Sequence, residues 1–155
     1  MSAIAPVSEE VVVMWLGGKP FAFPVGAIRE VVQIVEPTPM PSWPDSVLGI
    51  IDIRGELLPL VDMSRVLDQP PAPISKSQFV VVLFAQGRNW GLLVDAVDGV
   101  KAFEVRLSRP ERSKSTSINR GLLSDKDFTA VLLDPDAVMA ALGISLDLID
   151  AVAQA

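Results

Sequence analysis

The chain has 155 residues, half of them hydrophobic, with a mean hydropathy of +0.42 and a formal charge of −6. Its length fits one domain, or two small lobes that share a core. The negative charge opposes attraction to phosphate, which argues against a nucleic-acid partner, and the apolar stretches are too short to span a bilayer, which argues against membrane insertion.

Histidine, cysteine and tyrosine are absent from the sequence. Their absence removes the commonest general base, the thiolate nucleophile and the usual ligands of transition metals. We therefore expect no catalytic activity, no cofactor and no metal site. Residues 1–10 lack the basic and apolar regions of a secretory signal, so we expect a cytoplasmic location.

One segment of the chain occurs twice. Residues 11–31 reappear 69 positions later as residues 80–100, with three consecutive valines, a turn glycine and a basic residue beside the turn preserved. Such self-similarity predicts two related subdomains with a seam between them. A seam of this kind can also hold an apolar small molecule, so a ligand sensor is one alternative function.

The first copy begins with a predicted hairpin. Its strands are Val11–Leu16 and Phe21–Val25, which are rich in β-branched and aromatic residues and flank a glycine-containing turn. A third strand is predicted over Ile28–Val35. Four prolines within residues 36–44 then favour an extended loop, and Asp45–Leu48 is predicted to form one helical turn.

A second hairpin completes the first copy. Leu48–Ile53 and Leu57–Val61 are apolar runs, and the tip between them lies at Arg54 and Gly55. Asp62 is then predicted to cap a short helix over residues 63–67, because its carboxylate can accept from the free amides of a first helical turn.

The second copy repeats this plan. Phe79–Ala85 and Trp90–Val94 form the predicted hairpin, followed by a strand over Val97–Val105. Residues 118–133 resemble the second hairpin of the first copy. Asp134 as N-cap, with proline at the first helical position, predicts a helix that runs to about Leu142.

These elements give an all-β fold with short helices. We expect two closed or nearly closed barrels, because closure removes the unpaired edges of such apolar strands. The predicted organisation is a tail, a single repeated domain with its linker, and a C-terminal helix or tail. The tail comprises residues 1–10, and the C-terminal helix or tail comprises residues 143–155. The single domain comprises residues 11–142. Its two copies lie at about 11–68 and 79–142, are interleaved at the seam, and are joined by the linker 69–78.

Residues 38–63, TPMPSWPDSVLGIIDIRGELLPLVDM, resemble the signature stretch of the CheW-like family. In that family a proline-bearing loop, a glycine, a strand, an Arg-Gly turn and a strand ending in Asp follow in this order. Residues 16–32 and 89–100 extend the resemblance. It implies two five-stranded, SH3-like barrel subdomains that share a hydrophobic core.

The resemblance also implies a function. Proteins of this family are adaptors that couple the cytoplasmic tip of a methyl-accepting chemoreceptor to the regulatory domain of a CheA-like histidine kinase, within receptor arrays at the inner membrane. Such an adaptor is a scaffold and performs no chemistry. A pilus-type or other chemosensory-like pathway uses the same fold and is the alternative.

Arg54 is the first candidate for partner binding, because the resemblance places it at the position of the family's functional arginine. A turn arginine that pairs locally with Asp52 or Glu56 is the ordinary explanation. The resemblance also places the strand after the first hairpin, together with Gly49, near partner contacts, whereas core packing and a strand bend are the ordinary roles. The full set of predicted partner-binding residues is Arg54, Gly55, Asp52, Gly49, Ile28, Glu30, Val31, Ile51 and Trp43.

A carboxylate-based hydrolase is a remote alternative. Asp62 and Asp134 occupy equivalent points of the two copies, and paired carboxylates can cleave glycosidic bonds. Helix capping explains both residues more simply, since duplication alone gives their carboxyl groups no reason to converge.

Overall fold

The computed structural model describes residues 7–71, 73–107 and 118–144. Within these residues the chain forms ten strands and one short α-helix, arranged as two five-stranded sheets. The elements in chain order are β1 (Val7–Leu16), β2 (Lys19–Pro24), β3 (Ile28–Gln33), β4 (Val47–Ile53), β5 (Glu56–Val61), β6 (Phe79–Ala85), β7 (Arg88–Val94), β8 (Ala96–Leu107), β9 (Asn119–Ser124), β10 (Thr129–Leu133) and α1 (Pro135–Ala141).

Each sheet combines a hairpin of one sequence copy with three strands of the other. Strands β1 and β2 join β8, β9 and β10 in a closed barrel, which we call the barrel lobe. Strands β6 and β7 join β3, β4 and β5 in the order β3-β6-β7-β5-β4, which we call the open lobe. The predicted all-β fold with two five-stranded subdomains is confirmed.

The exchange of hairpins specifies how the two sequence copies are interleaved. Limits of 11–68 and 79–142 separate the two copies but do not separate the two lobes. Pro24 and a 3-10 turn over Val25–Ala27 end the first hairpin, so β3 leaves the barrel lobe and pairs with β6 instead. A proline cannot donate to a sheet ladder, which favours an interruption at this point.

Strand β1 is buried on both of its faces. Val11 and Val13 point into the barrel lobe, whereas Val12 and Met14 point into a second cluster between the lobes. Successive side chains of a strand face opposite ways, so this strand separates two cores. Burial on both faces explains why its sequence is a continuous apolar run.

Strand β6 has the same arrangement in the open lobe. Val80 and Val82 face the interior of that lobe, and Val81 and Leu83 face the cluster between the lobes. We call this cluster the shared core; it also receives side chains from β2, β5, β7, β10 and α1. The predicted seam is therefore filled by protein, with Trp90 among its fully buried side chains.

Most predicted elements are confirmed, including both repeated hairpins and helix α1. Asp134 caps α1 by accepting from the amides of Asp136 and Ala137 at 3.0 and 3.2 Å. Two short helical predictions are wrong: residues 45–46 form a turn that leads into β4, and residues 64–68 form a turn over which Asp62 accepts from the Ser64 amide at 2.9 Å.

The predicted N-terminal tail is shorter than expected. Strand β1 begins at Val7, which pairs with Val105 of β8, so residues 7–10 belong to the barrel lobe. Residues 145–155, predicted as a C-terminal helix or tail, lie outside the described residues, as do residues 108–117.

The shared core predicts that the two lobes unfold together. Leu83→Ala removes a fully buried side chain from that core and should lower the free energy of unfolding by about 2–5 kcal/mol. The control Leu57→Ala removes a partly exposed side chain and should cost about 1 kcal/mol or less. Urea unfolding measures these changes in free energy, and hydrogen exchange measures the protection of amides in each lobe. Leu83→Ala should lower amide protection in both lobes. A loss of protection confined to the open lobe would contradict the shared core.

Candidate partner-binding surface

The tip of the β4–β5 hairpin is a two-residue turn built by Arg54 and Gly55. Both have positive φ, at 51° and 89°, as a type I′ turn requires. Asp52 fixes this turn, because its Oδ1 accepts from the Gly55 amide at 2.7 Å. The side chain of Arg54 remains 72% exposed. Three of the predicted residues thus form one rigid tip that presents a guanidinium group to solvent.

Arg54 pairs with a residue of another strand. Its Nη2 contacts Oε1 of Glu30 on β3, so the local partners considered from sequence, Asp52 and Glu56, are replaced by a long-range one. Strands β3 and β4 are the two ends of the strand order in the open lobe. The ion pair therefore bridges the gap in this sheet, and it brings two predicted residues together.

Gly49 has a structural role in the same lobe. Thr38 of the proline-rich loop exchanges two backbone hydrogen bonds with Ile50, at 2.8 and 2.9 Å. Gly49 is buried with φ of 149°, and a Cβ atom there would lie 2.5 Å from the carbonyl oxygen of Thr38. Only glycine fits this approach of two backbones. Gly49 supports the site by holding the loop against β4.

Ile28 and Val31 lie on the face of β3 that borders the shared core. They pair with Leu83 and Val81, whose side chains belong to that core. Ile28 is partly buried against the core, whereas Val31 is 41% exposed. These two predicted residues form a strip of apolar surface that continues the shared core outward.

Ile51 is not part of this strip. Its side chain is 1% exposed and packs inside the open lobe against neighbours such as Leu58. The prediction that Ile51 lines a partner groove is corrected, because the alternation of β4 directs it inward. Trp43, predicted as an exposed anchor, is half-buried in the proline-rich loop.

Two further apolar residues went unpredicted on β8. Val97 and Val100 pair with Met14 and Val12, which belong to the shared core. Val97 is partly buried against that core, and Val100 is 55% exposed. They stand 69 positions after Ile28 and Val31, so the repeat itself could have identified them. We call these two pairs the rim strips.

Asp134 caps helix α1, whereas Asp62 closes a turn, so helix capping is confirmed for Asp134 alone. The Asp62 carboxylate accepts from the Ser64 amide, and the Asp134 carboxylate accepts from the amides of Asp136 and Ala137. Within the part of the chain that the structure describes, no group of three or more acidic side chains is placed to hold a metal ion, and no helix is long and apolar enough to cross a membrane.

Comparison with known proteins places the chain in a family. The model of the CheW-like domain matches residues 10–142. This range includes most of β1, all of β2 to β10, and α1. The chain belongs to the CheW-like family. Its CheW-like domain thus spans both lobes, and the tip and the rim strips lie within it.

Individual relatives agree with this assignment. The CheW-like chain is 32% identical over 134 residues to the chemotaxis protein CheW of Rhizobium meliloti, covering 84% of the chain and 86% of the relative. It is 28% identical over 124 residues to the chemotaxis protein CheA of Salmonella typhimurium, covering 79% of the chain and 18% of that protein.

A solved structure has the same fold. The scaffolding protein TtCheW from Thermoanaerobacter tengcongensis superposes with a TM-score of 0.72 at 23% sequence identity. The match covers 85% of the CheW-like chain and 92% of TtCheW. The arrangement of two lobes is therefore shared beyond this chain.

The close approach at Gly49 predicts a strong effect of one methyl group. Gly49→Ala should lower the free energy of unfolding by at least about 1–3 kcal/mol, because it adds backbone strain and a clash with Thr38. The control Gly26→Ala meets no atom within 4 Å and should be neutral or stabilise by up to about 1 kcal/mol. Equal stabilities of the two variants in urea unfolding would contradict the role given to Gly49.

Proposed function

We propose that the chain is a non-catalytic adaptor that couples chemoreceptors to a CheA-like histidine kinase in bacterial chemosensory signalling. The observation that carries the proposal is the family match over residues 10–142, which includes both lobes, the tip and the rim strips. The match to part of CheA supports a connection with the kinase, since that protein contains a related segment.

The adaptor works in the cytoplasm, at receptor arrays on the inner membrane. The adaptor acts by binding two proteins at once, and it catalyses no reaction. Once the adaptor holds a receptor, a kinase that binds the same adaptor is kept at high effective concentration beside that receptor. This role requires two surfaces that can be occupied at the same time, and it requires no catalytic group.

Strand β3 supplies residues to two such surfaces. Ile28 and Val31 lie on its shared-core face, whereas Glu30 pairs with Val82 and lies on the face toward the open lobe. Partner helices bind grooves through a few apolar anchors at helical spacing. The rim strips, with exposed Val31 and Val100, suit the helical tip of the receptor. The tip around Arg54 suits a polar contact with the kinase.

Arg54 is suited to this contact by its donors. A guanidinium group carries five N–H donors. The ion pair with Glu30 is made through Nη2 of Arg54. The group is largely exposed, and Glu30 holds it in one position. A carboxylate of the partner can then bind it through two charge-assisted hydrogen bonds at a reduced entropic cost.

Charge reversal at Arg54 tests the proposal. Arg54→Glu places a carboxylate beside Glu30 and should reduce kinase recruitment to receptor-bearing membranes by about tenfold or more, because truncating or reversing a hydrogen-bonded charge at an interface is costly. Co-sedimentation of kinase with the membranes, with and without the adaptor, measures this recruitment. Thermal melting should change little, since exposed ion pairs contribute little to stability.

Arg65→Glu is the matched control. Arg65 is exposed and follows β5, at the end of that strand remote from Arg54, and its reversal should leave recruitment unchanged. If the wild-type chain retains neither receptor nor kinase above background, the proposed function is wrong. If Arg54→Glu recruits kinase as well as Arg65→Glu does, the role of Arg54 is wrong.

A further inference from the structure

A β-bulge lies in β8 between the two residues of its rim strip. Val97 and Val100 pair with residues two positions apart on β1, so Asp98 and Gly99 together stand opposite the single residue Val13. Gly99 has a φ of 87°, and glycine is the residue that adopts such a conformation at a bulge without strain. One extra residue in β8 therefore decides which of its side chains face the shared core.

The bulge places two valines on the same face of β8. In a regular strand, side chains three positions apart point to opposite faces, so the shared-core face would carry Val97 with Gly99 or Asp98 with Val100. With the bulge, Val97 and Val100 both lie opposite side chains of the shared core. They stand about 7 Å apart along the strand, close to the rise of about 6 Å over four residues of an α-helix. The rim strip of β8 thus exists because of the bulge.

The first copy has the same bulge in β3. Arg29 and Glu30 stand opposite Val82, between Ile28 and Val31. Each of these β3 residues lies 69 positions before its counterpart in β8. A regular strand would bring either Arg29 or Glu30 to the face of the rim strip. Two bulges at equivalent positions therefore produce both apolar rim strips.

A side-chain contact holds a residue of each bulge. In β8, Oδ2 of Asp98 accepts from Nε1 of Trp15 at 3.0 Å. In β3, the guanidinium carbon of Arg29 lies 4.4 Å from the ring centroid of Phe84. Trp15 and Phe84 are again 69 positions apart, so an aromatic side chain of the neighbouring strand contacts the bulge in both copies. The place of the contact is the same in both copies, whereas its chemistry differs.

Trp15 is itself held in the barrel lobe. Its ring packs edge-on against Phe128, with the ring centroids 5.4 Å apart. Its carbonyl oxygen accepts from the amide of Asp95 at 2.8 Å, and the Asp95 carboxylate accepts from the Gly17 amide at 2.8 Å. The residue before β8 is thus attached to β1 independently of Asp98. Loss of the Asp98 contact would release the bulge while this attachment remains.

We propose that Asp98 and Trp15 are positioning residues for the receptor surface, because their hydrogen bond fixes the bulge that directs Val97 and Val100 toward the receptor. This role rests on the proposed function, which takes the rim strips as the receptor surface. It adds two residues that act from the barrel-lobe face of β8 without touching the receptor. A bulge that is already fixed before binding loses less conformational entropy when the receptor docks.

Receptor affinity of variants of the full chain tests this role. Asp98→Ala removes the acceptor and should raise the Kd for receptor-bearing membranes by about threefold to tenfold, measured by co-sedimentation over a range of adaptor concentrations. Trp15→Phe removes the donor, keeps an aromatic ring and should raise this Kd by a similar factor. Asp98→Asn keeps a side-chain oxygen that can accept from the indole and should recover most of the affinity.

The double variant separates positioning from direct contact with the receptor. If Asp98 acts through Trp15, adding Asp98→Ala to Trp15→Phe should cause no further loss of receptor affinity. Losses that multiply would overturn the positioning role, because Asp98 would then contribute to binding independently of Trp15. The indole N–H resonance of Trp15 in the free chain should shift in Asp98→Ala and return toward the wild-type position in Asp98→Asn.

Val100→Ala and Asp127→Ala are the matched controls. Val100 is an exposed residue of the rim strip, so its truncation should weaken receptor binding. Asp127 is an exposed acid in the turn between β9 and β10, and its truncation should leave receptor binding unchanged. Because Asp98 is exposed, Asp98→Ala should melt close to the wild-type temperature and bind the kinase with wild-type affinity.

The possible failures are distinguishable. An unchanged receptor Kd in Asp98→Ala, together with weaker binding by Val100→Ala, would overturn the positioning role and leave the proposed function intact. A wild-type chain that binds no receptor would overturn the proposed function itself. Wild-type affinity in Val100→Ala would show that the receptor does not use the rim strip of β8, and the positioning role would fall with that surface.

Discussion

Burial of both faces of two related hairpins is the constraint on which the rest of the structure depends. Strands β1 and β6 each separate the interior of one lobe from the shared core. Neither hairpin can leave its place without exposing two apolar faces to water, so the lobes act as one body. The high hydrophobic content of the sequence follows from this arrangement, because a central strand of this kind has no polar face.

The surfaces of the adaptor are positioned by that core. The rim strips are its outer edges on β3 and β8, and the Arg54 tip is attached to β3 through Glu30. A partner that binds one of these proposed surfaces would therefore meet a body whose other proposed surface is already oriented. Pre-organisation of this kind reduces the entropic cost of assembling three proteins.

Local patterns predicted much of the fold. Glycine-containing turns between β-branched runs gave both repeated hairpins, and Asp134 before a proline gave helix α1. The Arg54 tip followed from its turn residues and from resemblance. Pairing of Arg54 with Glu30 was not predictable, because 24 residues separate them and the order of strands decides their contact.

The inward direction of Ile51 was not predicted from the sequence. Alternation shows that neighbours on a strand face opposite ways, but it does not show which way is inward. The bulge at Arg29 shifts that alternation by one residue, so the face on which Glu30 lies could not be predicted from the sequence alone.

Hydrogen–deuterium exchange tests most directly whether one body carries two independent binding surfaces. The exchange is measured for the chain alone, with receptor, with kinase, and with both partners together. The account predicts slower exchange at residues 97–100 with receptor, at residues 54–55 with kinase, and at both sets when both partners are present. Protection of the same amides by either partner, with one partner displacing the other, would contradict it.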